Sequence, residues 1–179
     1  MVRVSVLMIA AMLVPTICAG QTVTYDYDRA TDFSAFKTYA WVRGTELDDP
    51  INHKRIVGAI DAELAAKGLT KVDSTAVDSS ATPVLLVAYH ASFGRDLRIE
   101  GFSSGWGGYR FGGARSASAR VNKILTGTLL VDMVNAKSRT IVWRGIASKE
   151  IDVKASPEKR ERNIRNAVAK IFRNYPPKK

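Results

Sequence analysis

The sequence predicts an α+β fold: an antiparallel-dominated β-sheet of about five to six strands with two helices packed on one face. Three observations predict it. Two segments combine a four-residue apolar period with helix-capping residues. Several others alternate apolar and polar residues or run apolar through β-branched residues. The strand segments also follow one another in runs, without a helix after each, which disfavours an all-parallel sheet.

Thr22 to Tyr27 alternates Val23, Tyr25 and Tyr27 against Thr22, Thr24 and Asp26, the period of a strand. Asp32-Phe33-Ser34 forms a turn, and Lys37 to Val42 reads as a second, short strand. Asp49 and Pro50 open a helix, because an Asp side chain accepts the first free N–H groups and proline loses nothing at the first helical position. Ile56, Ile60 and Leu64 give that helix an apolar stripe, and Gly68 closes it, with Leu69 folding back on the last turn. Leu69 to Val72 is a short strand, and Asp73 to Thr82 is a polar loop. Val84 to Phe93 is apolar on both faces and reads as a central strand. Ile124 to Val134 and Thr140 to Ile151 form a hairpin across Asn135 to Arg139, with Leu129, Val131 and Met133 sharing one face and Ile141 and Trp143 another. Ser156 and Pro157 open a second helix whose stripe is Ile164, Val168 and Ile171 or Phe172. Trp41 and Trp143 are expected in the core.

Residues 1–20 read as a secretory signal peptide. Arg3 supplies the basic start, Val4 to Val14 the apolar stretch, and Cys18-Ala19-Gly20 the small residues for cleavage. The stretch is shorter than the roughly 20 residues that span a bilayer. Residues 21–179 then form one domain. Cys18 is the single cysteine of the chain, so the domain has no disulfide to staple it. Simple cleavage competes with lipidation at Cys18, although Ile17 stands where a lipoprotein signal has a small residue. The formal net charge is +10. With export, that charge points to anionic envelope surfaces and away from nucleic acid.

The segment Asp32-Phe33-Ser34, Phe36 and Lys37-Thr38-Tyr39-Ala40-Trp41 resembles the opening of DUF4136, a family of exported bacterial domains of unknown function. Thr126-Gly127-Thr128-Leu129, Val131-Asp132 and Val142-Trp143-Arg144-Gly145 resemble a second stretch of the same family. The resemblance implies a periplasmic or lipid-anchored protein of a Gram-negative bacterium. It carries over no catalytic residue.

No catalytic constellation stands out. Gly101-Phe102-Ser103-Ser104-Gly105 has the spacing of a nucleophile elbow, yet no helix-forming run and no histidine follows it. His53 and His90 lack neighbours for a metal site. No nucleotide cradle is present, and neither metal nor cofactor is expected. Asp26, Asp28 and Asp32 could serve a small hydrolase of cell-wall or glycan material, but acids near a strand end more often form turns. The Gly101 to Gly113 stretch, within a Gly/aromatic loop over residues 101–116, is the best candidate for binding. There Phe102, Trp106, Tyr109, Arg110 and Phe111 combine aromatic faces with charge. Arg162 and Arg165 belong to a basic second helix that could settle on an anionic membrane. The expected function is therefore a non-enzymatic envelope protein that binds an envelope partner or an anionic surface.

Overall fold

The computed structural model describes residues 21–73, 84–100 and 120–178, with side chains described outside 95–100 and 120–124. The leader, Cys18 and the Gly101–Gly113 stretch lie outside the described residues, as does the polar loop beyond Asp73.

Strand β1 is Thr22–Tyr27, β2 Thr38–Trp41, β3 Thr70–Lys71, β4 Val84–Glu100, β5 Arg120–Asn135 and β6 Ile141–Glu150. Helix α1 is Pro50–Ala66 and α2 is Pro157–Phe172, and a 3-10 turn occupies Phe33–Ala35. The sheet order is β1-β6-β5-β4-β2-β3. β1, β6, β5 and β4 pair antiparallel, while β2 runs parallel to both β3 and β4. The parallel part follows from chain connectivity. α1 lies between β2 and β3, and a helical crossover returns the chain in the same direction.

Both helices cover the same face. Ile56, Ile60 and Leu64 of α1 and Val168, Ile171 and Phe172 of α2 form one core with Leu85, Val87, Tyr89, Val131, Met133 and Trp143 of the sheet. Burying that many large apolar side chains is the main stabilising term of a domain without disulfides. The other face holds a small cluster of Ala40, Val84 and Leu86.

The helix ends form as their residues predict. Asp49 accepts the backbone N–H groups of Ile51 and Asn52, each at 3.1 Å. Gly68 takes φ 82°, a conformation that a Cβ disfavours, and this lets the Leu69 N–H reach back to the Leu64 carbonyl at 3.0 Å. Ser156 accepts the Lys159 N–H at 3.3 Å at the start of α2.

Two expectations change. Ile141 does not share a face with Trp143. Met133 pairs with Trp143 but Val134 pairs with Ile141, so a bulge inserts Val142 and turns Ile141 outward, where it is 47% exposed. The central strands also run further than expected, β4 on to Glu100 and β5 back to Arg120. Pairing of β6 with β5 stops at Thr126–Glu150, and β2 follows β4 only to Val87. The paired strands from Phe93 and Thr126 outward therefore leave the sheet as a two-stranded arm.

Candidate functional site

Where the arm departs, the sheet outruns its helices and an open groove of about 790 Å³ remains. Its floor comes from Ala91 and Phe93 of β4, Leu125, Gly127 and Leu129 of β5, and Ala147 and Ile151 at β6. Its walls are Leu47 and Ile56 at α1 and Ile164 and Ala167 of α2. The lining is mainly apolar, and Phe93 is 57% exposed, an unusual degree for a large apolar side chain beside a core.

The polar rim carries both signs, and most of it is engaged within the domain. Lys149 donates to Asn163 at 3.0 Å. Arg160 donates to the carbonyls of Ala155 and Val153, each at 3.0 Å, and so clamps the turn before α2. Asp152 accepts from Lys159 at 2.9 Å, and that bond, with the Lys154 N–H, holds its carboxyl below the usual range. Asp49 serves the α1 cap. Gln21 also lines the groove, and its buried Nε2 has no hydrogen-bond partner among the described residues.

Sequence reasoning did not find this groove. Its apolar residues come one to three at a time from separate segments, and only the fold collects them. Of its floor, the sequence marked Phe93 only as the last residue of the apolar run of Val84 to Phe93. Of the residues expected to bind, Phe102, Trp106, Tyr109, Arg110 and Phe111 lie outside the described residues, as does Cys18. Arg162 and Arg165 are exposed on α2. Arg165 meets Glu161 at 3.4 Å, one turn away.

Of the carboxylates considered for hydrolysis, Asp28 and Asp32 are turn formers, and Asp26 lies within β1. Asp28 accepts the Ala30 N–H at 2.9 Å and the Thr31 hydroxyl at 2.8 Å, which hold its carboxyl below the usual range. A carboxyl shifted in that direction is ionised at neutral pH and has no proton to deliver as a general acid. Asp32 caps the 3-10 turn, accepting from the Ser34 N–H and hydroxyl. Asp26 accepts the Tyr27 N–H at 2.8 Å. The histidines are satisfied locally. His53 Nδ1 and the Tyr89 hydroxyl share a hydrogen bond at 2.6 Å, and His90 Nδ1 accepts the Thr45 N–H at 3.0 Å. Among the described residues no group of three His, Cys, Asp or Glu side chains could hold a metal ion.

The residues that carry the resemblance turn out to hold the fold together. Tyr39 and Trp41 both donate to Asp61 Oδ1 of α1, at 2.7 and 2.8 Å, and Lys71 reaches Oδ2 at 3.0 Å. Burial alone would raise the Asp61 carboxyl, but these three donors outweigh it and lower the net pKa. The second stretch pairs with itself. Asp132 lies opposite Arg144 in register, is 5% exposed, and receives two Arg144 bonds at 2.6 and 2.7 Å. Trp143 stacks on Phe172 with centroids 5.3 Å apart and meets Tyr175 edge-on at 5.5 Å. Gly145 must be glycine there, because a Cβ would collide with the rings of Trp143 and with Ile171 of α2.

Among the described residues no helix is long and apolar enough to cross a membrane. No curated protein gives a significant match. The subunit of the PelC dodecamer from Paraburkholderia phytofirmans superposes with a TM-score of 0.50 at 12% identity, covering 86% of this chain and 95% of that one. A PDZ domain protein from Parabacteroides distasonis superposes with a TM-score of 0.52 at 16% identity, covering 89% of this chain and 37% of that one. This chain thus spans little more than a third of that protein, and at such identities both likenesses are of fold. The profile of the domain of unknown function DUF4136 matches residues 23–177, nearly the whole chain. The protein belongs to the DUF4136 family.

Proposed function

We propose that this is a non-enzymatic, exported cell-envelope protein of the periplasm that binds a partner protein at the groove end of the domain. It works either free, after removal of residues 1–20, or anchored through Cys18. The groove supports this reading: it is open, mainly apolar, and rimmed by charges of both signs. Such a site suits an apolar segment of another protein better than an anionic membrane. The pairing on α2 argues the same way, since Lys159, Arg160 and Arg165 already meet a carboxylate or carbonyl within the domain. The same fold assembles as a dodecamer in PelC, so binding through this architecture has a precedent. The hydrolase alternative lacks support, since Asp28 and Asp32 are held as turn formers and Asp26 is a residue of β1 bonded to the Tyr27 N–H.

The test is site-specific photocrosslinking in the native host. A benzoylphenylalanine at Phe93 should give a discrete adduct with another protein, and Ile164→Lys in the groove wall should abolish it. The same probe at Ile51, which is exposed but outside the groove, should give none. Equal adducts from both positions, or none from Phe93, would overturn the proposal.

A further inference from the structure

One row of the groove floor crosses from β4 to the start of β1. Phe93 of β4 pairs with Gly127 of β5, and Gly127 pairs with Lys149 of β6. On the other side of β6, Thr22 pairs with Ser148, so the next step of that register sets Gln21 beside Lys149. All four residues line the groove. The row therefore runs from an exposed aromatic ring at one margin to two nitrogen donors at the other. The neighbouring row, Ala91, Leu129 and Ala147, is apolar throughout.

The two donors have capacity to spare. Lys149 is half-buried and gives one of its three N–H bonds to Asn163 of α2, at 3.0 Å. Among the described residues it meets no carboxylate. The buried Nε2 of Gln21 has no hydrogen-bond partner among the described residues. A half-buried ammonium and a buried amide N–H each call for an acceptor, and a carboxylate offers one oxygen to each of two adjacent donors. The rest of the lining is mainly apolar, so main-chain N–H and C=O groups laid on it find few partners. A segment that ends at the donors buries the fewest such groups. It brings its α-carboxylate to Lys149 and Gln21 and leaves its last side chains on the apolar rows.

We propose that the groove captures the C-terminus of its partner protein, with the terminal carboxylate held by Lys149 and Gln21 and apolar final side chains on the floor between Phe93 and Ala147. This rests on the reading of the groove as a protein-binding site, and it names which part of the partner enters.

The experiment uses the protein exported and processed by its own host. The probe is a pool of hexapeptides with a fluorescent N-terminus, random at the first three positions and drawn from Leu, Ile, Val and Phe at the last three. It is made once as free acids and once as C-terminal amides. By fluorescence anisotropy the acids should bind about tenfold more tightly than the amides, because only they form charge-assisted bonds. Lys149→Gln should bring the acids to the level of the amides. Lys137→Gln, the same change of charge in the turn between β5 and β6, should leave the preference in place. Gln21→Leu lies outside the strands and should reduce the preference severalfold, which keeps the test open if Lys149→Gln fails to fold. Acids and amides that bind equally, both lost on Ile164→Lys, would overturn capture of a C-terminus and leave the groove a protein site. Pools that show no binding would also overturn it, and the Phe93 photocrosslink then decides separately whether the groove binds protein at all. Sodium palmitate that binds where neither pool does, and is lost on Lys149→Gln, would assign the donors to a lipid carboxylate instead.

Discussion

The two ends of the sheet treat their side chains in opposite ways. At the helix-covered end, most polar and aromatic groups find partners inside the domain, the buried Thr38 hydroxyl and Trp143 indole N–H being without a hydrogen-bond partner among the described residues. Tyr39 and Trp41 meet Asp61, Arg144 meets Asp132, and Trp143 lies between Phe172 and Tyr175. At the arm end, Phe93 is more than half exposed and the groove stands open. The first end is built for stability, and the second is where we propose that a partner binds. The residues that identify the family lie mostly at the first.

The strongest way to break this contrast is at Trp143, the largest fully buried side chain among the described residues. Trp143→Ala removes the ring on which Phe172 and Tyr175 pack. It should cost about 3–5 kcal/mol, because the surrounding helix and sheet can only partly close the cavity. Thermal unfolding should fall by about 10 °C or more for a domain of this size. A fall of only a degree or two would mean that stability resides elsewhere.

The Asp61 node should give a smaller and pH-dependent effect. Asp61→Ala strands the hydroxyl of Tyr39, a buried residue, and the Trp41 indole N–H, and should cost about 1–3 kcal/mol. Asp61→Asn keeps an acceptor oxygen and should cost less. The folded carboxyl is held below its unfolded value of about 3.9, so its contribution is present above that pH and fades as acid protonates it. Denaturation midpoints measured from pH 7 down to pH 2 should therefore converge between wild type and Asp61→Asn. Curves that stay parallel would remove the carboxylate's charge from the account.

Much of the helix-covered end was legible in the sequence. Asp49-Pro50, Gly68 and Ser156-Pro157 mark their helix ends because capping is local chemistry, and each helix forms where those residues place it. The hairpin of β5 and β6 was legible for the same reason. The Val142 bulge was not, because register depends on which side chains the facing strand offers, and a two-residue period carries no trace of an inserted residue. The extension of β4 to Glu100 was also hidden. Arg95, Asp96, Arg98 and Glu100 look like loop residues unless β5 is already known to pair with them. The groove was the least legible feature, since it is a property of where the helices stop short of the strands. Asp28 and Asp32 left a hydrolytic alternative beside the turn reading, since a turn carboxylate and a catalytic one are the same residue until hydrogen bonds separate them.

The smallest expected effect sharpens the contrast most. Phe93 is more than half exposed and floors an open groove, so Phe93→Ser removes little buried apolar area. Surface changes of this kind stay within about 0.5 kcal/mol of neutral. The midpoint in urea should therefore be nearly unchanged, while adducts from a second photocrosslinking position in the groove, such as Leu129, should weaken severalfold. The two readings separate the roles. A residue that belongs to the core moves both, and a residue kept for a partner moves only the second. If Phe93→Ser lowered stability by more than about 1.5 kcal/mol, the groove would be a loosely closed part of the core, and the division between a stabilising end and an associating end would fail at the point where it is drawn.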